Sequence, residues 1–226
     1  MVQISCRDLC LGYERKEIVR NLNFEVCSGD YLCVIGENGS GKTTLLKVIL
    51  GLDKPMSGTL ELCGGLRRRD IGYLPQQNEF QKDFPATVRE IVLSGRQAKR
   101  GLRPFYSAQD KEIAQHYAGK LGISDLMGRC YRELSGGQRQ RALIARALCA
   151  ADKMLIMDEP VAALDNSSAV EMYDIVSELN EKGMTVVMVT HDSAAVRRNA
   201  KTVLEIGNRI FCGSTGDFMA LSPEES

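Results

Sequence analysis

The stretch "YLCVIGENGSGKTTLLKVIL", Tyr31 to Leu50, decides the fold. It holds three pieces in a fixed order. Tyr31 to Ile35 is an apolar run that suits a buried strand. Gly36 to Thr43, "GENGSGKT", is a complete G-x-x-x-x-G-K-T loop. From Lys42 to Leu50 apolar residues recur at helical spacing. A glycine-rich turn placed there suits phosphate for physical reasons. The glycines let backbone N–H groups face an anion with no Cβ in the way. The helix N-terminus adds partial positive charge. Lys42 has the reach for β- and γ-phosphates, and the Thr43 hydroxyl suits Mg²⁺.

Outward from this stretch, the chain reads as an α/β domain with a helical insertion. Upstream, "VQISCRDLCLGY" and "NLNFEV" alternate as strands do, broken by turn residues such as Ser28-Gly29-Asp30. Downstream, "KPMSGTLEL" gives a turn and a strand, and "IGYLP" another strand. From Phe84 to Arg132 the pattern is helical. "TVREIVLSGR" is expected as one helix. "SAQDKEIAQHYAGKLGI" is a second, with Ser107 as N-cap and Asp110 as the capping-box acid. Strand and helix then alternate: "KMLIMDEP", "SSAVEMYDIVSELNEKG" closed by Gly183, "MTVVMVTHD", "SAAVRRNA", and finally "TVLEI" and "RIFCG". Continuous apolar strands joined by crossover helices predict a parallel sheet covered on both faces.

Bulk composition narrows the class. With 226 residues and an apolar fraction of 44%, there is material for a real core. Lys+Arg and Asp+Glu are both 29, so no global field draws the chain to nucleic acid or anionic lipid. No apolar run reaches membrane-spanning length, and "MVQISCRDLC" carries no signal-peptide pattern, so a cytoplasmic location is expected. The 8 cysteines form no C-x-x-C pair. Cys33 and Cys149 sit in apolar runs and read as small core residues, and Cys6 with Cys10 makes a poor zinc site. "GRQAKRGLRP" reads as a loop in the helical block, with a place near lipid headgroups as the lesser reading.

A phosphate loop needs an acidic partner for its metal. "MLIMDEP" supplies one: Asp158 ends an apolar strand, where a carboxylate can face the Mg²⁺ shell. Glu159 follows, placed to polarise an attacking water as general base.

A second phosphate-type turn lies downstream. In "YRELSGGQRQRALIARAL", Tyr131 to Leu148, Ser135-Gly136-Gly137 opens a strongly basic helix. The ordered set "GENGSGKT", "LSGGQRQR", "MLIMDEP" and "VTHD" resembles the ATP-binding cassette (ABC) family of transporter ATPases, nearly end to end from Tyr13 to about Asp192. "LSGGQ", Leu134 to Gln138, matches the family signature without departure. The resemblance implies a P-loop NTPase (RecA-like) α/β core with an N-terminal antiparallel β subdomain and an inserted helical subdomain. It implies one nucleotide-binding domain over residues 1–226, with a catalytic core at about 1–83 and 133–226 and a helical subdomain at about 84–132.

The resemblance also explains the two loops. In the family, two such domains meet head to tail and sandwich ATP between the P-loop of one and the signature of the other. Ser135, Gly136, Gly137 and Gln138 are therefore expected at the ATP of a second copy, and Gly36, Asn38, Gly39, Ser40, Gly41, Lys42, Thr43 and Thr44 at the chain's own. Tyr13 fits the aromatic residue that stacks on adenine, though it would also serve as a plain strand aromatic. Thr43, Gln76 and Asp158 fit the Mg²⁺ positions, and Glu159, Gln76 and His191 the catalytic ones. Gln77 adjoins Gln76, so that choice rests on the motif alignment. Asp165 in "AALD" fits the loop that crosses to the partner site. Val161-Ala162-Ala163 departs from the family's usual Thr-Ser-Ala, with no loss of activity expected.

In this family the ATPase drives a separate integral membrane permease, fed in importers by an extracellular substrate-binding protein. That implies a peripheral place on the inner face of the cell membrane. "NEFQKDFPATVREIVLSGR", Asn78 to Arg96, resembles the ATPases of zinc/manganese (and related iron) importers, where the region faces the permease. Divalent metal import is the expectation. Ferric siderophore import, or a soluble ABC ATPase acting in cluster assembly or on DNA, are the alternatives. The lack of a coiled-coil insertion and of basic excess weighs against nucleic acid.

Overall fold

The N-terminal strands form a three-stranded antiparallel sheet in the computed structural model, which describes residues 1–13, 16–76, 85–162, 164–207 and 209–221, the side chain of Tyr13 excepted. Two compact units are described separately: Met1–Arg68 with Asn180–Ser226, and Arg69–Leu179.

In the first unit, β1 (Val2–Tyr13) lies between β2 (Lys16–Cys27) and β4 (Ser57–Leu62), antiparallel to both. The buried apolar residues of β1 run Ile4, Cys6, Leu9, Leu11. The switch from even to odd positions is a bulge between Cys6 and Leu9, where Asp8 takes φ 47. Without that extra residue, strict alternation would turn Leu9 and Leu11 away from the core. The strand β2 is longer than "NLNFEV" and begins at Lys16.

The parallel part of this unit is β7 (Thr185–Val189), β3 (Tyr31–Ile35) and β8 (Thr202–Ile206), with β3 in the middle. Every residue of β7 is buried, as its unbroken apolar run predicts. The strand β9 (Ile210–Ser214) departs from the expected parallel sheet: it pairs antiparallel to β8. The link between them, residues 207–209, is long enough for a hairpin and far too short for a parallel crossover. The helices are α1 (Lys42–Leu50), the end of α6 (Asn166–Glu181), α7 (Ser193–Asn199) and α8 (Thr215–Leu221), the last not foreseen from the sequence. Buried Asn180, on α6, ties this unit together by donating to the carbonyls of Gly29, Asp30 and Met184.

In the second unit, β5 (Ile71–Leu74) pairs parallel with β6 (Met154–Asp158). Its helices are α2 (Val88–Ser94), α3 (Gln97–Arg100), α4 (Ala108–Lys120), α5 (Gly136–Ala150) and the first part of α6. Ser107 and Asp110 make the expected capping box, with Ser107 Oγ accepting from Asp110 N at 3.2 Å. Thr87 and Glu90 make another at the start of α2.

"TVREIVLSGR" forms one helix, α2, with Thr87 as its N-cap and Gly95 as its C-cap. At its end α2 packs closely on α5: a Cβ at Gly95 would stand 2.1 Å from Arg146 O, so only glycine fits there. "GRQAKRGLRP" contains helix α3, not only loop. Arg96 pairs with Asp110 at 3.0 Å and with Asp152 at 3.5 Å, and Lys99 pairs with Asp70 at 3.4 Å and with Asp152. Burial alone would raise the Asp110 carboxyl, but Ser107 and the Arg96 guanidinium hold it down at about 2. Cys33 and Cys149 are fully buried core residues, and burial pushes both thiols up to about 12.

The helix α5 also rests directly on β5. A Cβ at Gly72 would stand 2.1 Å from Ala147 O, a backbone atom that cannot swing aside. Gly72→Ala is expected to destabilise the chain by about 1–3 kcal/mol. A thermal melt checks this, and an unchanged midpoint would mean that the two elements lie further apart.

Candidate functional site

The glycine-rich loop is shaped by its surroundings. A Cβ at Gly36 (φ 144) would stand 1.9 Å from Ile206 O, so only glycine lets β3 leave the sheet so close to the end of β8. Gly41 (φ 99) caps α1, and no side chain shares that cap. At Gly39 (φ 80) no heavy atom lies within 4 Å of a Cβ position, so the loop is open there.

Lys42 is 6% exposed, unusual for a lysine, and its ammonium donates to Gly36 O and Glu37 O, each at 2.7 Å. The side chain thereby closes the loop into a ring. The buried Ser40 Oγ has no hydrogen-bond partner among the described residues. An unsatisfied buried hydroxyl inside a ring of glycines fits an anionic oxygen as its missing partner. Thr43 and Thr44 are half-buried in the first turn of α1, and Asn38 is exposed on the loop.

His191 belongs to this same unit. Because β7 runs parallel to β3, with Val34 beside Val189, residues following both strands leave the sheet at one end. The glycine loop follows β3 directly, and exposed His191 comes two residues after β7. Asp192 then caps α7 by accepting from Ala195 N at 3.0 Å. Tyr13 is the last residue of β1, and its side chain lies outside the described set.

The second unit carries the acids. Asp158 ends β6 and is 2% exposed. Glu159, the next residue, sits at φ 50, a left-handed conformation that a glutamate adopts only at a cost. Such strain concentrates at functional positions. Gln76 follows β5, and its Nε2 donates to Glu159 Oε2 at 3.1 Å. Parallel pairing of β5 with β6 brings these two side chains to one end of the pair. Gln77, the neighbour that the sequence left open, lies outside the described residues, as do residues 78–84 of the stretch compared with metal importers.

The signature turn is built for presentation. Tyr131 and Leu134 are buried anchors, while Ser135 is exposed at the N-cap of α5. Ser135 Oγ accepts from Gln138 N at 3.3 Å, and Gln138 Oε1 accepts from Ser135 N at 3.0 Å. The Gln138 side chain thus rigidifies the turn, and the Ser135 hydroxyl keeps its proton to donate elsewhere. Gly136 and Gly137 open the helix, and its first turn holds no acidic residue to compete with an anion.

Asp165 precedes α6. It accepts from the Ser167 hydroxyl at 2.6 Å and from Ser168 N and Oγ at 3.0 Å each. These donors hold its carboxyl well below the usual carboxylate range. Two residues passed over in the sequence stand out: Gln140 is 3% exposed and donates to Pro160 O, and Arg141 Nη2 donates to Ser168 Oγ at 2.8 Å. A Gln-Arg pair one residue past the signature turn is the only sequence signal for them.

Comparison with known proteins identifies the family of the chain. Residues 19–162 match the ABC transporter family. The chain is 38% identical over 223 residues to the zinc uptake system ATP-binding protein ZurA of Listeria innocua, covering 95% of this chain and 87% of that protein. It is 36% identical over 195 residues to the manganese transport system ATP-binding protein MntB of Bacillus subtilis, covering 85% and 78%. Among solved structures it superposes with TM-score 0.85 and 32% identity on an inward-facing structure assigned to the metal-chelate type of ABC transporter, covering 96% of this chain and 85% of that one. A nucleotide-free ATP-binding cassette gives TM-score 0.81 at 25% identity, covering 100% and 96%. No described helix is long and apolar enough to cross a membrane.

Proposed function

This chain belongs to the ABC transporter family, and from that premise we propose that it is the Mg²⁺-dependent ATPase of a divalent metal importer, working beneath a separate membrane permease. The observation that carries the cargo assignment is the similarity to a zinc uptake ATP-binding protein across nearly the whole chain. The ring of Lys42, the unsatisfied Ser40 hydroxyl and the strained Glu159 support turnover of ATP.

In this reading residues 1–226 form one nucleotide-binding domain, with the helical subdomain at about 84–132. Lys42 and the loop N–H groups bind and orient the triphosphate. Thr43, Gln76 and Asp158 offer oxygen donors, the chemistry that Mg²⁺ takes. Bound Mg²⁺ would supply charge neutralisation on the phosphates. Glu159 takes the proton of the attacking water, and the amide of Gln76 holds one of its oxygens so that the other faces a fixed direction. His191 orients the γ-phosphate, and Tyr13 stacks on the base. Ser135, Gly136 and Gly137 serve the ATP of a second copy, with Asp165 in the crossing loop. The protein then sits on the inner face of the membrane, and an extracellular binding protein delivers the metal to the permease.

Elemental analysis of cells lacking the chain, grown in metal-poor medium, tests the proposal. Zinc or manganese is expected to fall selectively and to be restored by the intact chain but not by Lys42→Ala. A selective fall in iron would favour the second reading, a ferric chelate, which the metal-chelate-type structure supports. Unchanged metals would overturn the cargo assignment and leave the family membership standing.

A further inference from the structure

Gln140 and Arg141 are neighbours on α5, just past the signature turn. Buried Gln140 donates its amide to Pro160 O, the carbonyl immediately after Glu159. A buried amide is costly unless bonded, so this bond fixes where the chain goes after Glu159. Further along, Leu164 lies against the signature itself: a Cβ at Gly137 would stand 3.8 Å from Leu164 Cδ2. Arg141 then takes hold of the far end. Its Nη2 donates to Ser168 Oγ at 2.8 Å and to Glu171 at 3.2 Å, while Nη1 donates to Leu121 O at 3.3 Å. Ser168 passes the grip on, donating its hydroxyl to Asp165 Oδ2 and its N–H to Asp165 Oδ1, both at 3.0 Å. Pro160, Leu164 and Ser168 thus each meet α5.

We propose that Gln140 and Arg141 are positioning residues that join the signature turn and the segment from Glu159 to Asp165 into one rigid block, so that the side of the chain serving its own ATP moves together with the side serving the ATP of a second copy. The inference rests on the ATP-sandwich reading above. Rigidity here has a physical source. Arginine's planar fork reaches two separate elements from fixed directions, which a flexible ammonium cannot reproduce. A one-residue slip of the loop would break all three ties.

The test uses the purified full chain carrying Glu159→Gln, with ATP and Mg²⁺. Light scattering measures the chain concentration at half-assembly of the dimer, and equilibrium dialysis measures ATP binding. Arg141→Met keeps the apolar stem and removes the fork. Ser168→Ala removes only the hydroxyl at the other end. Each is expected to raise the half-assembly concentration about tenfold, the loss that follows from one charge-assisted hydrogen bond. The double variant should be no worse than either single one, because both cut the same link. Measured at chain concentrations well below half-assembly, where ATP meets a single copy, ATP affinity should stay within about twofold of the parent's, since neither residue belongs to the glycine loop. Dimerisation at the parent's concentration would overturn the proposal. So would a parallel loss of ATP binding, which would assign both residues to folding alone. If the Glu159→Gln parent itself stays monomeric, the sandwich reading fails and the clamp falls with it, an outcome seen before either variant is made.

Discussion

Lys42→Ala should abolish nucleotide binding, and with it turnover, by two routes at once. The ammonium is the only side-chain cation inside the described glycine loop, and it donates to Gly36 O and Glu37 O at 2.7 Å each. Charge-assisted hydrogen bonds contribute about 1.5–3 kcal/mol apiece, so losing the contact to a phosphate costs on the order of tenfold to a hundredfold in affinity. Losing the grip on the two carbonyls also opens the ring that holds the loop N–H groups in place. Equilibrium dialysis with ATP reads the first effect, and ATPase assay reads the sum. The fold should survive, because the core beneath the loop (Leu45, Leu46, Ile49) is buried independently of Lys42. A Lys42→Ala chain that binds ATP as the parent does would remove the glycine loop from the site.

Glu159→Gln should behave in the opposite way: binding retained, turnover lost. Glutamine has the same shape, tolerates the same φ, and its amide oxygen can still accept from Gln76 Nε2. It cannot take a proton from water. General-base catalysis contributes about 10²–10⁴ in rate, so kcat should fall by that factor with ATP affinity little changed. Glu159→Gly separates chemistry from strain. It should be equally inactive, yet more stable by about 1 kcal/mol, because glycine adopts positive φ without a Cβ penalty. A melt of the two variants side by side reads that difference. Equal stability would mean that the backbone at 159 carries no strain, and normal turnover in Glu159→Gln would strip the residue of its catalytic role.

The legible features share one property: they are local. The strand–loop–helix of Tyr31 to Leu50 sits where its apolar run, glycines and helical spacing put it. The capping box of Ser107 and Asp110 and the buried runs of β6 and β7 follow from residues a few positions apart. What was not legible depends on distant partners. The helix in "TVREIVLSGR" forms as expected, but the need for glycine at its end comes from the backbone of Arg146, 51 positions later in the chain. Arg96 and Lys99 of "GRQAKRGLRP", read from the sequence as part of a loop, pair with Asp70, Asp110 and Asp152, which no local pattern associates with them. The strand β9 turns antiparallel because its connection is short, a matter of topology and not of composition.

The sequence by itself determined the chemistry of this protein: which loop takes phosphate, which acids could serve it, and which family it resembles. These depend on residue type at fixed spacing, and backbone N–H groups, a lysine and a carboxylate keep their properties in any fold that presents them. Only the tertiary structure decided how the pieces are held. It took Gln76 to Glu159, tied Gln140 to Pro160 and Arg141 to the first turns of α6, and set Glu159 in a left-handed turn. Those contacts span sequence separations of 83, 20 and 27 residues. At such distances the chain-closure entropy is met by the packing of whole strands and helices, so no short stretch of sequence encodes them.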